Sequence, residues 1–140
     1  MCRADEWEAA VAGGAYAGSS QDKADGFIHF STAEQIVESA RRHRAGQSGL
    51  LLLAIDPAVL GDRLKWEKSR AGDLFPHLYG PLDPAESTWV RPLPLGTDGL
   101  HVFPALDLRY RRKPASRQIF SYRPRRKKVD ETWPIGVYPN

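Results

Sequence analysis

Apolar and polar positions along the chain fall into short alternating runs and two stripes at helical spacing. In "DGFIHFST" (25–32), Ile28 and Phe30 alternate with Phe27, His29 and Ser31. Successive side chains of an extended chain point to opposite faces. The pattern therefore predicts a strand over 27–31, with Ile28 and Phe30 toward a core and His29 on the other face. "LLLLAID" (50–56) is a continuous apolar run with the length of a buried central strand. "RLKWEKS" (63–69) alternates and predicts a half-buried strand. "STWVRPLPL" (87–95) predicts another, which Pro92 and Pro94 restrict to an edge. A turn at 97–99 returns "LHVFP" (100–104) as a hairpin partner. The stretch 71–83 reads as irregular, but if 75–79 is extended, Phe75, His77 and Tyr79 share a face.

The helical stripes are Trp7, Ala10 and Val11 in "ADEWEAAVAGG" (4–14), and Ala33, Ile36, Val37 and Ala40 in "STAEQIVESA". Asp5 with Glu8, and Ser31 with Glu34, have capping-box spacing. Gly13 or Gly14 ends the first helix. Residues 15–26 read as loop, and "DPAVLGD" (56–62) as a turn or one helical turn. About five or more strands with two helices predict a small single α+β domain over residues 1–106.

Charge divides the chain. Residues 1–106 carry 10 Lys and Arg against 14 Asp and Glu, and residues 107–140 carry 10 against 3, so a body of −4 bears a tail of +7. The 107–140 segment reads as a basic, partly disordered extension that cannot bury enough apolar surface to order itself. Nucleic-acid binding is not expected of the body; the tail is expected to make weak electrostatic contact with anionic polymers. Apolar content of 41% and four tryptophans fit a folded domain. No apolar run reaches the roughly 18 residues of a membrane span. One cysteine, Cys2, and no secretory pattern at the N-terminus predict a cytoplasmic protein. Oligomeric state is not legible.

Polar groups inside apolar runs are the candidate chemistry. They are His29, Glu67 in "KWEKSR", and His77 with Tyr79 in "FPHLYG", with Arg70 nearby. Ser31 stands where a helix N-terminus is expected, and free backbone N–H groups there favour an anion. Two imidazoles, a carboxylate, a phenol and a guanidinium suffice for acid–base chemistry or for holding a phosphate-bearing ligand. His29, Glu67 and His77 are the candidate catalytic groups; Ser31, Arg70 and Tyr79 are the candidate ligand-binding groups. Together they predict one pocket for a small anionic or nucleotide-like ligand. The same residues also suit a binding module without chemistry, or a structural protein whose histidines complete internal hydrogen bonds. No HxH, HxxxH or CxxC spacing suggests a metal, and no GxSxG, GxGxxG or Walker loop occurs.

"RADEWEAA", "DGFIHFSTAEQ", "LKWEKSRAGDLFPHLYGPL" and "WVRPLPLG" resemble the bacterial family called domain of unknown function 952, over residues 3–104. That family is similar in plan to the ADP-ribosyltransferase fold. The resemblance implies a split or strongly bent sheet, with NAD bound in a cleft between two small sheets and His29 beside the nicotinamide. RNA 2′-phosphotransferases, which share that fold, imply a histidine at the same place. Members of the family start with a strand before the "RADEW" helix. The chain begins at Met1 and Cys2, so that strand is expected to be missing. The late-strand glutamate of the transferase fold has no clear counterpart; "STWVRPL" offers Arg91, with Glu86 just before it.

Overall fold

The computed structural model describes residues 1–106 and 138–139. The rest of the 107–140 extension lies outside the described residues. Two antiparallel sheets organise the domain. Strands β1 (Cys2–Arg3), β3 (Leu50–Ile55) and β6 (Ser87–Leu93) form one, in the order β1-β3-β6. Strands β4 (Leu64–Lys68), β5 (Leu74–Leu78), β2 (Ile28–Ser31) and β7 (Tyr138–Pro139) form the other, in the order β4-β5-β2-β7. The α-helices are α1 (Ala4–Gly13), α2 (Ser20–Asp25), α3 (Ile36–His43) and α4 (Pro57–Leu60), with 3-10 turns at Gly61–Arg63 and Pro84–Glu86.

The α+β class is as the pattern predicts, with more elements. The first strand is present: Cys2 and Arg3 pair with Leu51 and Leu50. It runs directly into α1, and the Ala4 N–H donates to Gly49 O at 2.9 Å. The N-cap position falls on Arg3, with no side-chain cap, so Asp5 stands inside the helix and caps nothing at the expected place. Its carboxylate pairs with Arg3 and accepts from the Glu6 N–H. Trp7 and Ala10 are buried, whereas Val11 is exposed. Gly14 ends the helix at φ +80°, a left-handed conformation that glycine adopts without steric cost.

The Ser31–Glu34 capping box does not form, because Ser31 belongs to β2, paired with Tyr138. A turn follows in which Thr32 O accepts from Gln35 N and Ile36 N, and the Gln35 side chain accepts from Thr32 N. α3 therefore starts at Ile36, and His29 is not at a helix N-terminus. The 15–26 segment contains α2, capped by Ser19 and Asp22 in a reciprocal box. Its sequence SQDKAD has no apolar stripe, so periodicity passes over it. The turn at 97–99 does return the chain, over a short stretch: an antiparallel bridge joins Leu95 and His101, Gly96 N–H donates to Leu100 O and Val102 N–H to Pro94 O, without a full strand over 100–104.

Two clusters fill the interior. Cys2, Leu53 and Ile55 of the first sheet meet Ile28, Phe30 and Leu78 of the second, with Trp7 and Ala10 of α1. Leu50, Leu52, Ala54 and Leu93 pack instead with Ile36 and Ala40 of α3. β3 is apolar on both faces because each face meets a cluster, which is why its sequence runs without alternation. On β2, Ile28 and Phe30 enter the core, leaving His29 on the opposite face.

Candidate functional site

The outer face of the second sheet carries the polar groups. β4 supplies Lys65 and Glu67, β5 supplies His77, and β2 supplies His29; Phe27 and Tyr79 flank these strands. His29 is in register with His77, which is in register with Lys65. The His29 and His77 rings lie edge to face, with centroids 5.3 Å apart. Phe27 stacks on His77 at 4.2 Å and packs against His29 and Tyr79.

Each imidazole is anchored by its own carboxylate. His29 Nδ1 lies 2.7 Å from Asp22 Oδ1, and His77 Nδ1 lies 2.7 Å from Glu67 Oε2. Asp22 is 3% exposed, and it also accepts from His29 N–H, Ser19 N–H and the Ser19 hydroxyl. Burial opposes its ionisation, but the hydrogen bonds from His29 and Ser19 prevail and hold its pKa below the ordinary value. On Glu67, hydrogen bonds first from His77 and then from the Tyr79 hydroxyl lower the carboxyl pKa. The same bond to Glu67 raises that of Tyr79. A charged carboxylate only accepts, so each Nδ1 carries a proton. The two Nε2 atoms differ. That of His29 lies 3.4 Å from Asp25 Oδ2. That of His77 has no partner among the described residues and is open to solvent.

Of the six expected site residues, His29, Glu67, His77 and Tyr79 converge. Ser31 does not present itself: it is fully buried, and its hydroxyl meets Ser39 Oγ at 3.2 Å. Arg70 is exposed in the β4–β5 turn, where no hydrogen bond or ion pair joins it to the histidines. Asp22 and Asp25 escaped the sequence reading because they stand in a stretch without apolar periodicity. The Ser19-x-x-Asp22 spacing was the one signal available. Among the described residues, the first core cluster joins the two sheets where a cleft is expected, and His29 lies on the opposite face of β2. Two surface concavities, of about 520 and 370 Å³, contain neither histidine. Among the described residues, no group of three or more His, Cys, Asp or Glu is placed to hold a metal ion.

The family model described as "Protein of unknown function (DUF952)" matches residues 1–90. The chain belongs to that family. Its structure is similar to the crystal structure of protein CC0527 from Caulobacter crescentus. The TM-score is 0.69 and the identity 48%, over 71% of this chain and 88% of that one. A double-mutant crystal form of CC0527 matches with 47% identity and a TM-score of 0.69 over the same shares. Its solution structure matches with 48% identity and a TM-score of 0.65, over 71% of this chain and 85% of that one. A comparison with curated proteins finds no match. The DUF952 match includes α2 and strands β1 to β5, and so every residue of the histidine face. No described helix is long and apolar enough to cross a membrane.

Proposed function

We propose that the outer face of the four-stranded sheet binds a small anionic, nucleotide-like ligand, with His29 and His77 as its acid–base groups. The observation that carries this reading is the pair of imidazoles 5.3 Å apart, each held through Nδ1 by a carboxylate at 2.7 Å. Such a bond fixes the tautomer and the ring orientation. It leaves Nε2 of His77 to meet a ligand, and Nε2 of His29 to do so beside Asp25. With its oxygens engaged by His77 and Tyr79, Glu67 serves as a positioning group rather than a proton acceptor. Lys65, opposite His77, supplies positive charge for an anion. Two narrower statements belong to the same reading. ADP-ribosyl transfer from NAD would use the aromatic Phe27 beside both imidazoles. A reducing, cytoplasmic setting suits the single cysteine, Cys2, whose thiol burial pushes up to about 11.

Calorimetric titration of the full chain with uridine 3′-monophosphate, NAD and inorganic phosphate tests this reading. Saturable binding that weakens at least tenfold in both His29→Asn and His77→Asn is the expected result. Asparagine keeps an N–H donor near the position of Nδ1, so folding should survive. Equal affinity in wild type and both variants, or no binding of any of the three, would refute the site.

A further inference from the structure

The two imidazoles have unequal surroundings. His29 has a carboxylate at each ring nitrogen, Asp22 Oδ1 at 2.7 Å from Nδ1 and Asp25 Oδ2 at 3.4 Å from Nε2. A carboxylate beside each nitrogen favours an N–H at both positions of the His29 ring. His77 has one carboxylate, Glu67 at Nδ1, while its Nε2 is unpartnered among the described residues. By geometry, the His29 Nε2 suits a donor and the His77 Nε2 an acceptor, side by side on one sheet face.

Among the described residues, no free hydroxyl or thiol stands in the cluster. Ser31, the one hydroxyl residue of β2, is fully buried against Ser39. Cys2 is buried in the first core cluster. The Tyr79 hydroxyl is committed to Glu67. A substrate that brings its own attacking oxygen suits such a face. A ribose phosphodiester brings one, the 2′-hydroxyl, adjacent to the phosphorus it can attack.

We infer that the histidine face cleaves short ribonucleotide phosphodiesters by internal transphosphorylation, with His77 as the base and His29 as the acid. This rests on the anionic-ligand reading of the same face. His77 Nε2 takes the proton from the 2′-hydroxyl as its oxygen bonds to phosphorus. The P–O5′ bond breaks, and His29 Nε2 gives its proton to the leaving 5′-oxygen. The products are a 2′,3′-cyclic phosphate and a 5′-hydroxyl; one proton enters His77 and one leaves His29, so no oxidant, reductant or further reactant is needed. Lys65, beside His77, faces the phosphate charge that the attack concentrates. Asp22 and Glu67 are positioning residues that hold the rings through Nδ1, while Asp25 stands beside the His29 Nε2 that meets the leaving oxygen.

The test incubates the full chain with uridylyl-3′,5′-adenosine and with its 2′-deoxy counterpart, while calorimetry follows binding of both. Expected are binding of both and cleavage of the ribonucleotide alone, to uridine 2′,3′-cyclic phosphate and adenosine. His29→Asn and His77→Asn should each slow cleavage about a hundredfold or more, with melting midpoints close to that of wild type. Binding of both dinucleotides without cleavage overturns the inference and leaves the ligand site standing. Absence of binding overturns both. Cleavage that persists in either variant identifies another source of activity and also overturns the inference.

Discussion

His29 and His77 face each other at the last rung of the β2–β5 ladder, with their rings 5.3 Å apart. The next residue of β5 is Pro76, which has no N–H to donate, and β2 continues from Phe30 in partnership with β7. The ladder thus stops at the histidine pair. The backbone N–H of His29 is given to Asp22 rather than to a strand. One carboxylate therefore fixes both the main chain and the ring of His29.

Replacing Asp22 should be costly. Asp22→Ala leaves His29 N–H, His29 Nδ1 and the Ser19 donors without their acceptor in a part-buried setting. A loss of roughly 2–4 kcal/mol is expected, given about 1.5–3 kcal/mol for a hydrogen bond to a charged group and the penalty of unpaired donors. Urea unfolding monitored by tryptophan fluorescence measures it. A loss below about 1 kcal/mol would show that α2 does not depend on this carboxylate.

The same residue sets an acid limit. Its folded pKa lies below the ordinary 3.8 because the bonds from His29 and Ser19 outweigh burial. Between the folded and unfolded values the unfolded chain binds more protons, so stability falls as pH falls. The contribution is complete above the ordinary aspartate pKa and disappears as pH drops through the folded value. Melting midpoints recorded from pH 6 to pH 2 should fall more steeply in wild type than in Asp22→Asn. Parallel curves would assign the acid limit to other carboxylates.

Gly18 makes room for Asp22. It has φ +86°, and a Cβ added there would lie 2.5 Å from Asp22 Cβ. Gly26, at the other end of α2, has φ +84° but open space around it. Gly26→Ala should cost only the left-handed penalty of about 1–2 kcal/mol. Gly18→Ala should cost clearly more and should also displace the imidazole resonances of His29. Equal costs would mean that the backbone, and not the approach to Asp22, decides the first position.

Much of this fold is legible in the alternation itself. Ile28 and Phe30 announce their burial, the run 50–55 its central place, and Pro92 its edge strand. Convergence of His29 with His77, Tyr79 and Glu67 follows once 75–79 is taken as extended, because odd-numbered residues then share a face. What the sequence conceals depends on tertiary contact. The Ala4 N–H at the start of α1 is given to Gly49 O, and the pairing of Ser31 with Tyr138 delays α3. α2 has no apolar stripe because only Asp22 among its residues is buried. Pro76 argues for irregular structure, yet it sits in β5 where the ladder to β2 has already ended.

The described end of the C-terminal extension, β7, lies against both β2 and β3. Tyr138 and Pro139 pair with Ser31 and Phe30, and Pro139 is buried. The described residues of both core clusters lie within 1–106, and a chain ending at Leu106 should still unfold cooperatively. Its midpoint should be lower than that of the full chain, and the uncovered β2 edge should make the shortened chain associate as concentration rises. Sedimentation and thermal melting at two concentrations check both parts. Loss of cooperative unfolding would place the extension within the core.

The central claim is that His29 and His77 form one ligand-binding acid–base pair. Its most direct test is a two-dimensional spectrum of the imidazole nitrogens of all four histidines, recorded while uridine 3′-monophosphate is added. The Nε2 resonances of His29 and His77 should move together along one saturation curve, while His43 and His101 stay in place. Unmoved resonances at saturating nucleotide, or equal small shifts of all four, would contradict the claim.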